Sequence, residues 1–240
     1  MVTPIVGAGT TESRWQAWPA MARWPLLDLP DTGVPLVVAP HPDDEILGVG
    51  GLLALLGAAE VAAVTDGEAS HPESSVYTPE TLAEVRRHET TNALTRLGLR
   101  DAKVHRLGHP DGGIDEATLA TQLADLLSPG RWCLATWRGD GHPDHEAAGR
   151  AAAAACAATG AILLEYPIWT WHWAEPDDDR VPWHRARRIE LPPKVQAAKA
   201  HAVAAFRSQI TALGPEPGDA PVLPPHVLAR FARPAEVVFQ

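Results

Sequence analysis

Cysteine is scarce in this chain, with only two among 240 residues. Cys133 and Cys156 fall within apolar stretches and lack paired-ligand spacing, which argues against a disulfide framework and against a cysteine zinc knuckle. We expect both to be small core residues of a protein in a reducing compartment. The first 27 residues also lack the basic-then-apolar order of a secretion signal, which favours a cytoplasmic protein.

Long apolar runs and clustered basic residues are missing as well. The longest uncharged, mostly apolar runs, at 46–59 and 151–164, are shorter than the roughly 17–25 residues that span a bilayer, so no transmembrane segment is predicted. A formal net charge of -10 without a basic stripe argues against a nucleic-acid partner, because such binding depends on clustered Lys and Arg. No pattern determines the oligomeric state, and a homo-oligomer stays open.

Apolar strand patterns alternate with helical patterns along most of the chain. The predicted strands lie at 36–39, 60–65, 103–107, 132–137 and 161–168, and the predicted helices between them at 45–56, 78–97, 116–127 and 142–158. This alternation predicts an α/β fold, a Rossmann-like and mostly parallel sheet with helices on both faces. We expect one domain over 1–240, with residues 1–33 as an N-terminal extension.

The regular pattern breaks after residue 168. An irregular loop is predicted at 169–185, near the site, followed by a strand at 187–191, a helix at 194–206 and a last strand at 236–239. The glycines of Gly48-x-Gly50-Gly51 lie inside the first predicted helix and lack the third glycine of a dinucleotide motif. They are interpreted as a place where this helix packs closely on the sheet.

Two polar clusters follow predicted strands, where ligands collect in open α/β sheets. His-Pro-Asp-Asp-Glu occupies 41–45 after the first strand, and His-Pro-Asp-His occupies 142–145 after the fourth. Positions i and i+3 share a face in the first turn of a helix. His41 with Asp44, and His142 with His145, can therefore each point at one spot, and the two clusters predict a metal site at the carboxyl ends of the strands.

Two imidazoles and one carboxylate with an open fourth position are typical of catalytic zinc. The predicted ligands are His41, Asp44 and His145. Hydrolysis of an amide also needs a base for water, a stabilised oxyanion and a protonated leaving amine. Asp43 is the candidate base, and a cationic His142 is the candidate that faces the oxyanion or protonates the leaving nitrogen. Asp144 is the candidate that orients or charges one of the histidines.

Other interpretations of these clusters stay open. A single His-Pro-Asp turn can be an ordinary helix cap, although two copies at one edge of a sheet disfavour that account. The same two-His-one-carboxylate set also holds Fe²⁺ in non-haem oxygenases. Such an oxygenase needs a site for a redox cosubstrate, and the sequence has no dedicated feature for one.

The chain resembles the PIG-L/LmbE family of zinc-dependent N-acetylglucosamine-type deacetylases at both motifs, over 39–45 and 141–145. The resemblance implies a hydrolase that removes an acyl group from the nitrogen of an N-acylated amino sugar. It implies zinc on His41, Asp44 and His145, with Asp43 as the base and His142 as the acid or oxyanion stabiliser. A catalytically silent sugar-binding protein of the same fold is the rival of a different class.

Weaker similarity extends to 65–68, to Arg86-x-x-Glu89, to Asp111-Gly112 and to the helix that ends near Gln209. By this resemblance Arg86, Asp111 and Glu68 are expected to bind sugar hydroxyls. The first 33 residues and the segment 169–182 match no functional pattern of the family, so acceptor specificity is not predicted.

Nine tryptophans are candidates for stacking against a pyranose ring. Trp137, Trp171 and Trp173 are the ones expected near the site, with core or rim packing as the competing interpretation for each.

Overall fold

A computed structural model describes residues 7–30 and 33–240; the remaining parts of the predicted N-terminal extension, 1–6 and 31–32, lie outside the described residues. Within these ranges the strands are β1 Leu36–Ala39, β2 Glu60–Ala63, β3 Lys103–Arg106, β4 Trp132–Thr136, β5 Ile162–Tyr166, β6 Ala186–Glu190 and β7 Ala235–Phe239. The α-helices are α1 Glu12–Gln16, α2 Asp44–Leu56, α3 Pro79–Leu97, α4 Glu116–Leu126, α5 Pro143–Thr159, α6 Thr170–Trp173, α7 Pro193–Val203, α8 Arg207–Ile210 and α9 Pro225–Leu228.

The strands form one sheet in the order β3-β2-β1-β4-β5-β7-β6. β1 to β5 are parallel, whereas β7 is antiparallel to both β5 and β6. The predicted mostly parallel α/β fold is therefore confirmed. Within the described ranges, no helix has both the length and the apolar character needed to cross a bilayer.

Helices cover both faces of the sheet, and alternate strand residues contribute to two separate cores. Val37 belongs to the core shared with α2, α3 and α7, whereas its neighbour Val38 belongs to the core shared with α4 and α5. Strands buried on both faces are apolar along their whole length, as the sequence of β1 is. Cys133 and Cys156 lie buried in the second core, as predicted.

Helix α2 packs closely on the sheet at its glycines. A Cβ atom at Gly48 would overlap the ring of Tyr166, and one at Gly51 would meet Leu191 Cδ2 at 2.5 Å. The Tyr166 hydroxyl donates to the Val38 carbonyl oxygen at 2.7 Å, which fixes the ring beside the helix. The interpretation of these glycines as a close approach between helix and sheet is confirmed for Gly48 and Gly51 but not for Gly50, whose nearest neighbour is Ile46 of the same helix.

We expect Gly48→Ala to lower the free energy of unfolding by about 1–3 kcal/mol, because the buried Tyr166 ring has no space to move away from an added methyl group. Gly50→Ala is the matched control in the same helix, since its nearest neighbour would be Ile46 Cγ2 at 3.3 Å. Urea unfolding of both variants measures the difference. Equal stability of the two variants would show that Tyr166 accommodates the methyl group.

The N-terminal segment packs against the loop that follows β5. Trp15 is fully buried, and its Nε1 donates to the Trp171 carbonyl oxygen at 2.9 Å. The Thr10 amide donates to the His172 carbonyl oxygen at 2.8 Å. The predicted irregular loop at 169–185 contains the short helix α6 and a 3-10 turn at Trp183–Arg185. Tryptophan packing between distant segments gives this region its order.

Several boundaries differ from those predicted. β2 ends at Ala63 and β5 at Tyr166, each two residues earlier than expected, although the Val64 and Thr65 amides beyond β2 still donate to the Ala39 and Pro40 carbonyl oxygens. The helix expected to end near Gln209 is divided into α7 and α8, and the short helices α1, α6 and α9 were not predicted. Each has only four or five residues, too few for a helical period to stand out in the sequence.

Candidate metal and active site

Both His-Pro-Asp motifs lie at one point of the sheet, at the carboxyl ends of the neighbouring strands β1 and β4. In the sheet, β2 and β3 lie on the β1 side of this pair, and β5 lies on the β4 side. Such a switch point opens a crevice between the loops of the two strands, where ligands bind in open α/β sheets. The predicted location of the site thus agrees with the topology.

The two motifs enter their helices differently. Pro143 is the first residue of α5, and His142 caps this helix because its Nδ1 accepts the Asp144 amide at 3.2 Å. Asp43 precedes α2 with a φ of 126° and makes no capping bond. Glu45 Oε2 instead accepts the Asp43 amide at 3.1 Å. Positive φ in a residue other than glycine is strained backbone, which often occurs at functional sites.

Three predicted ligands bring their donor atoms into a nearly equilateral triangle. His41 Nδ1 lies 3.4 Å from Asp44 Oδ2 and 3.3 Å from His145 Nε2, and the last two atoms are 3.3 Å apart. Ligands about 2.0–2.1 Å from a tetrahedral metal are about 3.3–3.4 Å from one another. The arrangement therefore fits one small divalent cation with an open fourth position toward the cleft.

Two other groups of donor atoms lie within 4.8 Å of one another: His41, His142 and His145, and His41, Asp111 and Asp144. In the first group His142 can offer only Nε2, because its Nδ1 accepts a backbone amide. In the second, His41 Nε2 lies 3.1 Å from Asp144 Oδ2 and 3.2 Å from Asp111 Oδ1. When Nδ1 faces a metal, Nε2–H donates to these carboxylates, which orients the ring. The second group is thus better explained as support for His41.

Each histidine of the triangle is backed by a carboxylate. Asp144 Oδ2 faces His41 and also accepts the Gly112 amide at 2.8 Å. The contact with His41 fits the predicted role of Asp144 as a partner of one of the histidines. Asp140 Oδ2 accepts from His145 Nδ1 at 2.8 Å, and this aspartate is fully buried. The sequence reasoning missed Asp140, although an acidic residue between two glycines just before the second motif was a visible signal.

Asp43 lies in a buried position beside the triangle, with 6% of its surface exposed. Burial raises its pKa to about 7, although the neighbouring Arg86 guanidinium opposes the rise. Arg86 Nη2 donates to Asp43 Oδ2 at 3.1 Å and to the Pro42 carbonyl oxygen at 2.7 Å. Its Nη1 donates to the Gly67 carbonyl oxygen at 2.8 Å. Arg86 therefore holds the loop that carries Asp43, a role that was not predicted for it.

The two histidines of the second motif have opposite electrostatic surroundings. Burial and the positive charges of His145 and His41 lower the pKa of His142 to about 4. Burial also disfavours charge on His145, but Asp44 and Asp140 outweigh it and raise the pKa to about 9. A neutral His142 whose Nδ1 accepts an amide carries its hydrogen on Nε2. It can therefore donate a hydrogen bond, but as a neutral ring and not as the cation expected from the sequence.

A cleft of about 250 Å³ opens at the triangle and has two kinds of wall. Its polar wall includes Ser70, Arg86, Asp111 and Gln209, and its apolar wall includes Leu47, Ile168, Trp169, Val222 and Leu223. A small cleft with converging polar groups and an apolar side suits a compound that combines hydroxyl groups with an apolar face.

The three residues predicted to bind sugar hydroxyls do not all lie at the cleft. Arg86 and Asp111 border the cleft, whereas Glu68 is not among its lining residues. Glu68 Oε1 accepts the Asp111 amide at 2.9 Å, and Asp111 Oδ2 accepts the Ala69 amide at 3.0 Å. Glu68 therefore supports the loop of Asp111 from outside the cleft.

The predicted aromatic platforms lie elsewhere. Trp171 is 4% exposed and packs against Trp15 and Trp183. Trp137 and Trp173 stack on each other with ring centroids 6.5 Å apart. None of the three expected platforms borders the cleft, and that prediction is corrected to core and rim packing; Trp169 borders it instead.

Fold and site together define an α/β protein with a candidate metal centre at its topological switch point. The family model described as PIG-L, GlcNAc-PI de-N-acetylase, matches residues 36–156, just over half of the chain and including both motifs. The chain belongs to this family.

The chain is also similar in sequence to a Bacillus subtilis protein. The probable N-acetyl-alpha-D-glucosaminyl L-malate deacetylase 2 of Bacillus subtilis (strain 168) is 33% identical over an alignment of 128 residues, and the match covers 48% of this chain. The match spans 57% of that relative, a little over half its length.

Two solved structures share the fold. The N,N'-diacetylchitobiose deacetylase of Pyrococcus horikoshii has a TM-score of 0.62 at 21% identity, over 75% of this chain and 72% of its own. The 4-carboxy-2-hydroxymuconate hydratase GalB of Pseudomonas putida KT2440 has a TM-score of 0.57 at 21% identity. The match covers 74% of this chain and 80% of the hydratase chain. Because a hydratase shares the fold, the fold alone does not define the reaction.

Proposed function

We propose that this protein is a zinc-dependent N-deacetylase that removes an acetyl or other acyl group from an amino-sugar compound. The observation that carries the proposal is the donor triangle of His41, Asp44 and His145, with the carboxyl group of Asp43 beside it. Family membership over both motifs supports the reaction type, and the relatives named above support an N-acetylglucosamine-type substrate.

Zn²⁺ held by His41, Asp44 and His145 would supply Lewis-acid chemistry that polarises the amide carbonyl and activates water. Asp43 takes the proton of the attacking water and passes it to the leaving nitrogen, since its buried carboxyl group borders the cleft beside the donor triangle. His142 donates from Nε2 to the carbonyl oxygen as negative charge develops there. Asp144 acts through His41, whose ring it orients, so it is a positioning residue in this mechanism.

The two walls of the cleft suggest how an amino sugar binds. Asp111, together with Ser70 and Gln209, offers hydrogen-bonding groups to ring hydroxyls, and Arg86 borders the same wall. Trp169 and its apolar neighbours face the less polar part of the substrate. Glu68 contributes indirectly, through its bond to the Asp111 amide.

The proposal is tested with metal-free protein reloaded with zinc. The substrates are N-acetylglucosamine, its α-linked malate and inositol glycosides, and N,N'-diacetylchitobiose, and free amine and acetate are measured together. We expect equal amounts of both products from at least one glycoside, and no product without metal. Full zinc occupancy in a folded protein with no amine from any compound would contradict the proposal.

The same assay separates the rivals. Turnover by the zinc-loaded protein without oxygen eliminates the non-haem iron oxygenase, whose reaction consumes oxygen. Tight binding of a glycoside without release of amine identifies a silent sugar-binding protein. Replacing Zn²⁺ with Fe²⁺ in the anaerobic assay then shows which metal supports the faster hydrolysis.

A further inference from the structure

Asp140 is a fully buried carboxylate that the mechanism above does not use. It lies in the loop between β4 and α5, two residues before His142. Buried carboxylates are costly unless several donors satisfy them. The carboxylate of Asp140 receives five hydrogen bonds, and these come from two different parts of the site.

The first part is the candidate metal ligand His145. Its Nδ1 lies 2.8 Å from Asp140 Oδ2, and its Nε2 belongs to the donor triangle. A carboxylate on the far nitrogen fixes both the tautomer and the plane of a ligating imidazole. Because the His145 ring is fully buried, Asp140 determines the direction in which Nε2 points.

The second part is the apolar wall of the cleft. The backbone amides of Ile168, Trp169 and Thr170 each donate to Asp140 at 2.9 Å, and the Thr170 hydroxyl donates at 2.5 Å. Ile168 and Trp169 both border the cleft. Three successive amides on one carboxylate leave this segment little freedom to move relative to His145.

We propose that Asp140 is a positioning residue that couples metal binding to the placement of the cleft wall. One carboxylate orients His145 toward the metal and holds Ile168 and Trp169 where the substrate binds. The substrate half of this inference rests on the proposed deacetylase function. The metal half and the order of the wall do not depend on turnover.

The first measurement uses the unaltered protein. Hydrogen–deuterium exchange is followed at the amides of 168–170, with and without Zn²⁺, and helix α4, which contributes no residue to the cleft, serves as the internal reference. A metal that fixes the His145 ring strengthens its bond to Asp140, so zinc should slow exchange at 168–170 and leave α4 unchanged. Exchange at 168–170 that does not respond to zinc would overturn the coupling.

The second measurement compares Asp140→Asn with Thr170→Val. Asparagine has one acceptor oxygen in place of two, so we expect zinc affinity, measured by competition with a chromogenic chelator, to fall about 10–100-fold. Thr170→Val removes only the hydroxyl bond and should keep the zinc affinity of the unaltered protein. The KM of Asp140→Asn is then measured at saturating zinc with a glycoside that the unaltered protein deacetylates. We expect a raised KM, because Asp140 no longer holds the apolar wall of the cleft in place.

Unchanged zinc affinity in a folded Asp140→Asn protein would refute the orienting role. An equal loss of affinity in Thr170→Val would show a general effect of packing instead. Failure of the proposed function is a different result: no glycoside is deacetylated, yet the zinc affinities and exchange rates still differ as described. If Asp140→Asn does not fold, the exchange measurement on the unaltered protein decides the question.

Discussion

Asp43→Asn is expected to lower kcat by about 10²–10⁴-fold and to leave the zinc content unchanged. The substitution removes the group that accepts the proton of water, and general bases contribute a factor of this size. The donor triangle does not include Asp43, so the metal stays bound. Steady-state kinetics and metal analysis on the same preparation measure both quantities.

Asparagine is the suitable replacement at this position. Asp43 has a φ of 126°, and asparagine tolerates positive φ better than most residues do. Its amide oxygen can still accept from Arg86, so the loop keeps this contact. Asp101→Asn, which alters an exposed carboxylate, is the control and should retain full activity. An Asp43→Asn enzyme as fast as the unaltered one would show that another group takes the proton.

His145→Ala is expected to lose both the metal and the activity. The substitution leaves two of the three donors and removes the one that is fully buried. It also leaves Asp140 without its imidazole partner and Asp44 with fewer contacts. Zinc titration and the amine-release assay check the two losses, and circular dichroism checks that the fold persists.

His142→Ala is the matched comparison for this prediction. If the metal is held by His41, Asp44 and His145, removal of His142 should keep the metal and lower kcat about 10²–10³-fold, as for other donors to an oxyanion. If the metal is instead held by the three histidines, whose donor atoms also lie within 4.8 Å, His142→Ala should lose it. Zinc retained by His145→Ala would contradict both ligand sets.

Much of the fold and the location of the site could be predicted from local patterns. The run at 36–39 ends where β1 ends, and Thr78 and Gly98 cap α3 as their residue types suggest. The two motifs follow strands that the alternation predicts to be parallel, and parallel strands have their carboxyl ends at one edge. This reasoning was sufficient to place His41 and His145, 104 residues apart, at a common site.

One expectation failed, and one role was missed, because residue type does not reveal the neighbours of a side chain. Trp171 was expected at the substrate, but it packs on Trp15 from the N-terminal segment, for which the sequence has no recognisable pattern. Arg86 was expected to bind hydroxyls, and its guanidinium also holds the Pro42 and Gly67 carbonyl oxygens. The sugar-binding role of Arg86 stays a prediction.

The sequence by itself determined the alternation of strands and helices and the two strand ends at which polar groups gather. Periodicity and capping depend on residues a few positions apart, so they can be read locally. Only the tertiary structure decided which carboxylate supports which histidine and which side chains form the cleft. Asp140 bonds amides 28 to 30 residues away, and such partners are specified by the packing of β4 against β5 and not by any local pattern.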